Sequence, residues 1–416
     1  MKNSLHSLLG ALLSLALLNI LPGCGHPVLY GIPAQRDAAT ISTEPVCLYF
    51  DREGSLYPAV QDNLVVDNTV LEGKNGYLFD YYTLNVIPGS ARDITWQRLS
   101  AAYGLTPVAI SDDPTRKAAW RVLQQQMRQR FITRFNAHLK ATKSDMLVVL
   151  VHGYNNDVSA AAWYSAIERT VRRRTPDKRI QFVEIRWDGG ASATALGIWG
   201  YAQASMYPVG LALRQLLAGI DQHDLPVRIM SHSTGCPLTC IALWNSTDAL
   251  SGNGVDMWGQ SYQDVCMQPA FFTPQLTHLR VALLAPAMPY SHFNNFFARN
   301  PANPTGNSQY ERIVFGYNTH DQATGKWILP AGFMGDTRLG VHPEDYCPNV
   351  VGQVQSRPGT KVYQVDFTAG MKRAGTRGAH GVAALMQDYP AFDTLLDTWL
   401  TDAIPSSNAP GLRTCP

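Results

Sequence analysis

From residue 145 onward the chain alternates short, almost wholly apolar segments with longer helical ones, and this constrains the fold more than any other feature. Residues 146–151 read MLVVLV. A strand of that kind has no polar face, so both sides of its sheet must be covered, as in parallel sheets flanked by helices. Further strands are expected at 180–185, 227–231, 279–284 (LRVALL), 312–317 (RIVFGY) and 361–367 (KVYQVDF). Helical spacing marks 160–174, 202–220 with Pro208 inside it, 234–244 and 391–401. Strands joined by helical crossovers specify an α/β chain with a doubly wound, mostly parallel sheet. Ligands on such sheets sit at the carboxyl ends of the strands.

The first part of the chain has a different character. Residues 25–144 read as an α+β extension packed on the 145–416 domain, with a strand at 46–50 (VCLYF) and extended segments over 77–86. One long helix is expected over 115–140, because Trp120, Leu123, Met127, Phe131 and Phe135 recur at helical spacing among Arg and Gln. Two insertions, 247–277 and 288–309, stand where they can cap the strand ends. The second carries Tyr290, Phe293, Phe296 and Phe297, which suit either an acyl pocket or the packing of a long loop.

Residues 1–24 are expected to be a signal peptide. Lys2 precedes an uncharged run at 8–18 (LLGALLSLALL), too short for the ~20 residues of a membrane span but suited to a secretory core. The run ends in Leu21-Pro22-Gly23-Cys24, which resembles the lipobox of bacterial lipoproteins and implies acylation at Cys24. The expected location is therefore the bacterial cell envelope, periplasmic or membrane-bound through a lipid anchor. Cys47, Cys236, Cys240, Cys266, Cys347 and Cys415 remain, an even number compatible with disulfides whose pairing spacing does not fix. Cys236 and Cys240 share a helix face and suit packed thiols. A net charge of +2 excludes nucleic acid as a leading partner. The 45% hydrophobic content excludes a disordered or fibrous chain.

Chemistry is expected where the strand ending at Ser231 continues as His232-Ser233-Thr234-Gly235 and turns at once into a helix. A serine hydroxyl is a weak nucleophile; it needs a rigid, exposed position and N–H groups nearby to hold an oxyanion. A strand–serine–helix elbow supplies both, provided that the residues two before and two after are small, as Ser231 and Gly235 are. Two strands earlier the chain reads His152-Gly153-Tyr154-Asn155-Asn156, where Gly153 permits a sharp turn that aims the next N–H at the serine. The oxyanion hole is therefore assigned to the N–H groups of Tyr154 and Thr234. In elbow hydrolases the acid and the histidine follow the serine in that order. Asp321 follows strand 312–317, and His380 follows the last strand; His342, Asp336 and Asp366 are the rivals. His152, Gly153 and His232 are expected to line the substrate pocket, and Trp187, which opens the Trp187-Asp188-Gly189-Gly190 segment at the end of another strand, suits either that lining or a structural turn. No three side chains fall at metal-ligand spacing, and neither a metal nor an organic cofactor is expected.

These segments, with Leu284-Ala285-Pro286 and Arg338-Leu339-Gly340, come in an order that resembles the α/β-hydrolases. The bacterial esterase/lipase-like branch, with its HGYN strand end and HS-x-G elbow, is the nearest in pattern. The resemblance covers residues 145–401 and implies a Ser233–Asp321–His380 triad acting on small-molecule or lipid esters. Thr234 stands where that branch usually has Met. An acyltransferase or peptidase would use the same triad, and an inactive hydrolase fold would leave an envelope-binding lipoprotein.

Overall fold

The computed structural model describes residues 25–26, 45–59, 64, 78–110, 112–155, 160–192, 199–244, 246, 276–294, 312–326, 336–355 and 360–415. Cys24 and the signal segment, Cys266, residues 247–275 and residues 295–309 lie outside these.

Eight strands form one sheet: β2 (Val46–Phe50), β3 (Met146–Val151), β4 (Ile180–Trp187), β6 (Val227–His232), β7 (Leu279–Leu284), β8 (Arg312–Tyr317), β9 (Lys361–Asp366) and β10 (Leu412–Arg413). Their order across the sheet is β10-β9-β8-β7-β6-β3-β4-β2, parallel throughout except for β10 against β9. A separate two-stranded ladder joins β1 (Gly25–His26) to β5 (Ala191–Ser192). The strand at 46–50 is thus not confined to an extension; it pairs in parallel with β4 as the edge of the main sheet. Local pattern reveals a strand but not its partner, which is a tertiary choice.

The continuous apolar run of β3 follows from its place in the middle. Leu147, Val149 and Val151 enter one core, together with α3 (Asp113–Thr142), α5 (Trp199–Ala218) and α6 (Gly235–Trp244). Met146, Val148 and Leu150 enter the other, with α4 (Ala160–Arg174) and, after the short helices α7 (Thr368–Arg373) and α8 (Val382–Leu385), α9 (Tyr389–Leu400). Side chains alternate between faces, so a strand covered on both must be apolar at successive positions. The long helix α3 runs 30 residues, starting at the Asp112 cap, whose carboxylate accepts from the Thr115 N–H at 2.8 Å. It ends at Lys143 in the left-handed conformation (φ 50°).

Two features depart from expectation. Residues 78–83 form a helix, α1 (Leu78–Thr83), followed by α2 (Ala91–Ala102), where extended segments were expected. Short aromatic-rich runs fit either period, and here the Leu78 N–H is drawn to the buried Asp51 carboxylate at 2.8 Å. Cys347 and Cys415 form a disulfide that ties the segment before β9 to the tail beyond β10, while Cys47, Cys236 and Cys240 are buried thiols.

Strand order places the site. From β3 the chain moves outward to β4, then crosses back over β3 to β6 and continues to β7, β8 and β9. The reversal falls between β3 and β6. The loops leaving those two strands separate there, which is where sheets of this kind bind ligands.

Candidate active site

Ser233 follows β6 directly and precedes α6, with φ 56°. A left-handed backbone at a residue with a side chain is strained and persists when its surroundings fix it. The fixing bonds are evident. The Ser233 N–H donates to the Leu284 carbonyl at 2.9 Å, while its own carbonyl accepts from Cys236 N–H (3.0 Å) and Ala287 N–H (3.2 Å). Two glycines allow the close approach. A Cβ on Gly153 would lie 2.6 Å from Ser233 Cβ, and one on Gly235 would lie 2.5 Å from the His152 carbonyl oxygen. The requirement for small residues at the elbow is therefore a contact between the ends of β3 and β6.

The structure brings Asp321 and His380 together. His380 Nδ1 lies 2.6 Å from Asp321 Oδ2. A carboxylate accepts, so Nδ1 carries a proton, and in the neutral form of the ring Nε2 is the nitrogen with the lone pair. The other carboxylate oxygen accepts from Ala323 N–H (2.9 Å) and Thr324 N–H (3.2 Å), which holds the acid in its turn. His380 Nε2 and Ser233 Oγ are both buried, and neither has a hydrogen-bond partner among the described residues. Buried polar atoms without partners are uncommon and call for an explanation. A nucleophile and a base awaiting substrate supply one.

The rival residues are engaged elsewhere. His342 is half-exposed with Nδ1 at 2.6 Å from Glu344, Asp336 pairs with Arg338 at 3.3 Å, and Asp366 pairs with Arg413 at 3.1 Å.

His152 stands in a different place from the pocket lining expected of it, and Trp187 takes the structural one of its two expected roles. His152 and Trp187 are wholly buried and bonded to each other. The Trp187 N–H donates to His152 Nε2 (3.1 Å), the Trp187 indole N–H donates to the His152 carbonyl (2.8 Å), and their rings stack at 5.6 Å. Since Nε2 accepts, His152 Nδ1 carries the proton and donates to the Gly153 carbonyl at 2.6 Å. These polar atoms are occupied in joining β3 to β4, so both side chains brace the Gly153–Tyr154 turn instead of lining a pocket. The turn after β4 adds support: Gly189 sits so close that a Cβ would lie 3.0 Å from Tyr154 Cα, and Arg52 pairs with the buried Asp188 at 2.9 Å.

His232 is also turned to support. Its Nε2 lies 2.8 Å from the His380 carbonyl, and the two rings are 4.7 Å apart. A carbonyl accepts, so His232 Nε2 carries the proton; burial, then neighbouring His380, pull its pKa down to about 3, keeping it neutral. His232 thus links the end of β6, just before Ser233, to the loop that carries His380.

Sequence reading missed two further links. Asn318 Nδ2 donates to the carbonyls of Arg377 (2.9 Å) and Ala379 (3.4 Å), and the Gln322 N–H donates to the Gly378 carbonyl at 3.2 Å. The loops bearing Asp321 and His380 are stitched together by these bonds. The available signal was an Asn at a strand end, one turn before a candidate acid. In the second insertion, Phe293 packs against Trp244 and Phe315 (centroids 6.1 and 5.6 Å) as part of the core. Phe296 and Phe297 lie outside the described residues.

The strained serine between a parallel strand and a helix, at the reversal of strand order, gives the molecule the fold of an α/β-hydrolase. In keeping with this, residues 127–258 match a family model described as an alpha/beta hydrolase of unknown function (DUF900). The matched span holds Tyr154 and Ser233 and stops short of Asp321 and His380. No curated protein and no solved structure matches the chain.

Proposed function

We propose that this protein is an exported serine hydrolase that cleaves carboxylic esters through an acyl-enzyme intermediate. The observation that carries the reading is that, among the described residues, the buried Ser233 Oγ and His380 Nε2 both lack a hydrogen-bond partner, while the other nitrogen of His380 is held by Asp321. His380 Nε2 takes the Ser233 proton as Oγ bonds to the ester carbonyl carbon. Asp321 keeps the imidazole in the required tautomer and stabilises the imidazolium. The imidazolium then protonates the departing alkoxide. Water, deprotonated by the same histidine, releases the acid and restores Ser233. Elbow N–H groups hold the oxyanion, each donor contributing about 2.7–4 kcal/mol in comparable sites.

Export is supported by the disulfide Cys347–Cys415, since such bonds persist in oxidising compartments, and by the apolar run before Cys24. Acylation of Cys24 would anchor the protein to a membrane of the cell envelope.

The test is labelling of the mature protein with a fluorophosphonate probe, with the adduct mapped by mass spectrometry. Labelling at Ser233 that disappears in Ser233→Ala is the expected result. A folded wild-type protein that resists the probe and cleaves no ester would overturn the reading in favour of an envelope-binding role.

A further inference from the structure

The Tyr154 N–H, assigned from sequence to the oxyanion hole, is already engaged. It donates to Thr234 Oγ1 at 2.6 Å. Thr234 is wholly buried and directly follows the nucleophile. It also directly precedes α6, where a threonine ordinarily uses its oxygen to cap the N–H two or three residues on. Neither partner is available here. The residue three on is Pro237, which has no N–H, and the Cys236 N–H is taken by the Ser233 carbonyl at 3.0 Å. The Thr234 hydroxyl is therefore released from its own helix and turned across to the β3 loop.

An amide N–H can only donate, so this bond uses a lone pair of Oγ1 and leaves the hydroxyl proton unspent. That proton has no acceptor among the described residues, and neither has the Thr234 N–H. One buried residue next to Ser233 thus holds two donors without acceptors. A buried donor left in that state is costly unless something arrives to accept from it.

We propose that the Thr234 hydroxyl is itself a donor of the oxyanion hole, with the Tyr154 N–H acting behind it. Resting on the serine-hydrolase reading, the inference replaces the direct role of Tyr154 with an indirect one. As Ser233 Oγ bonds to the carbonyl carbon, the carbonyl π pair moves onto oxygen and the serine proton passes to His380 Nε2. The new oxyanion accepts from the Thr234 N–H and the Thr234 Oγ–H. No proton leaves threonine. The Tyr154 N–H stays on Oγ1 and polarises the hydroxyl, strengthening its donation as hydrogen bonds in a chain do. Tyr154 is then a positioning residue acting through its backbone, and Thr234 touches the reacting atom.

The competing arrangement has the Thr234 hydroxyl as a plug that must swing away to free the Tyr154 N–H. The two arrangements predict effects of opposite sign. The test compares wild type, Thr234→Val and Thr234→Ser on p-nitrophenyl butyrate, together with inhibition by a trifluoromethyl ketone, which mimics the tetrahedral intermediate. If the hydroxyl is a donor, Thr234→Val lowers kcat by about 10²- to 10³-fold with KM changed little, and weakens the ketone by a similar factor. Thr234→Ser stays within a few-fold of wild type on both measures. Should the valine variant fail to fold, Thr234→Ala carries the same comparison. A valine or alanine variant as active as wild type, or faster, overturns the proposal; so does a loss confined to KM. A wild-type protein that neither labels at Ser233 nor hydrolyses the ester fails for the earlier reason, the serine-hydrolase reading itself.

Discussion

Gly153 shows how one residue can tie fold to chemistry. Its missing side chain is the space in which the Ser233 Cβ lies, since an added methyl would come to 2.6 Å of it. Real Cβ atoms do not approach that closely, so Gly153→Ala must push the elbow or the oxyanion loop aside. A displacement of about 1 Å at reacting groups costs on the order of 10²-fold in rate. The expected outcome is a folded Gly153→Ala protein whose fluorophosphonate labelling is slowed by at least that factor, read from time courses beside a thermal melt. Gly153, Ser233 and Asp321 were legible in the sequence because each follows the end of an apolar strand, and His380 because it stands in the loop region beyond the strand at 361–366. The sequence did not reveal that His152, Trp187 and His232 support the machinery. Which way a side chain turns depends on neighbours from another loop: Trp187 for His152, and the His380 carbonyl for His232. Nor could it show that the Thr234 hydroxyl reaches Tyr154, although Pro237 was in plain view.

Among the elements, α9 has the least obvious attachment. Arg228, Arg280 and Arg312 stand in register on β6, β7 and β8 near the amino-terminal end of the sheet, opposite the candidate site. All three are buried. Arg312 donates to the carbonyls of Asp402 (2.7 Å), Ala403 (2.9 Å) and Thr401 (3.0 Å), and Arg280 donates to Thr401 and to the Asp402 carboxylate. These acceptors lie just past the end of α9, where carbonyls lack helical partners and the helix dipole is negative. Two guanidinium groups of that row, those of Arg280 and Arg312, thus cap the helix that covers the sheet, while Arg228 donates to the Val227 and His278 carbonyls. Arg312→Met keeps much of the side-chain volume and removes the donors. It should lower stability by about 2–3 kcal/mol, seen in urea unfolding, and leave ester turnover per folded molecule unchanged. An unchanged unfolding midpoint would count against the capping role. This arrangement was not legible in the sequence, since each arginine there looks like an ordinary charge opening a strand. The strands themselves were readable because burial on both faces leaves a continuous apolar run. The helix at Leu78–Thr83 was not, for six residues contain too few turns to establish a period.

Across the whole molecule, the three residues of the proposed triad stand on two kinds of support. Residues 231–244 are buried without exception, so Ser233 belongs to the part of the chain that opens last. Asp321 and His380 come from loops in which most neighbours are half-exposed or exposed, and those loops are held to each other by Asn318 and Gln322. Local opening is easiest where few apolar contacts must be broken. Warming should therefore disable the protein in two stages: the base drifts from the nucleophile while the tryptophans remain packed. Labelling at Ser233 would fall at a lower temperature than the one at which tryptophan fluorescence reports unfolding, and cooling from the interval between them would restore it. Coincident curves would mean that the loops are as firmly held as the elbow. If the interval exists, a sample that has gone silent on gentle heating is still a folded protein, and assays of its chemistry belong well below its melting point.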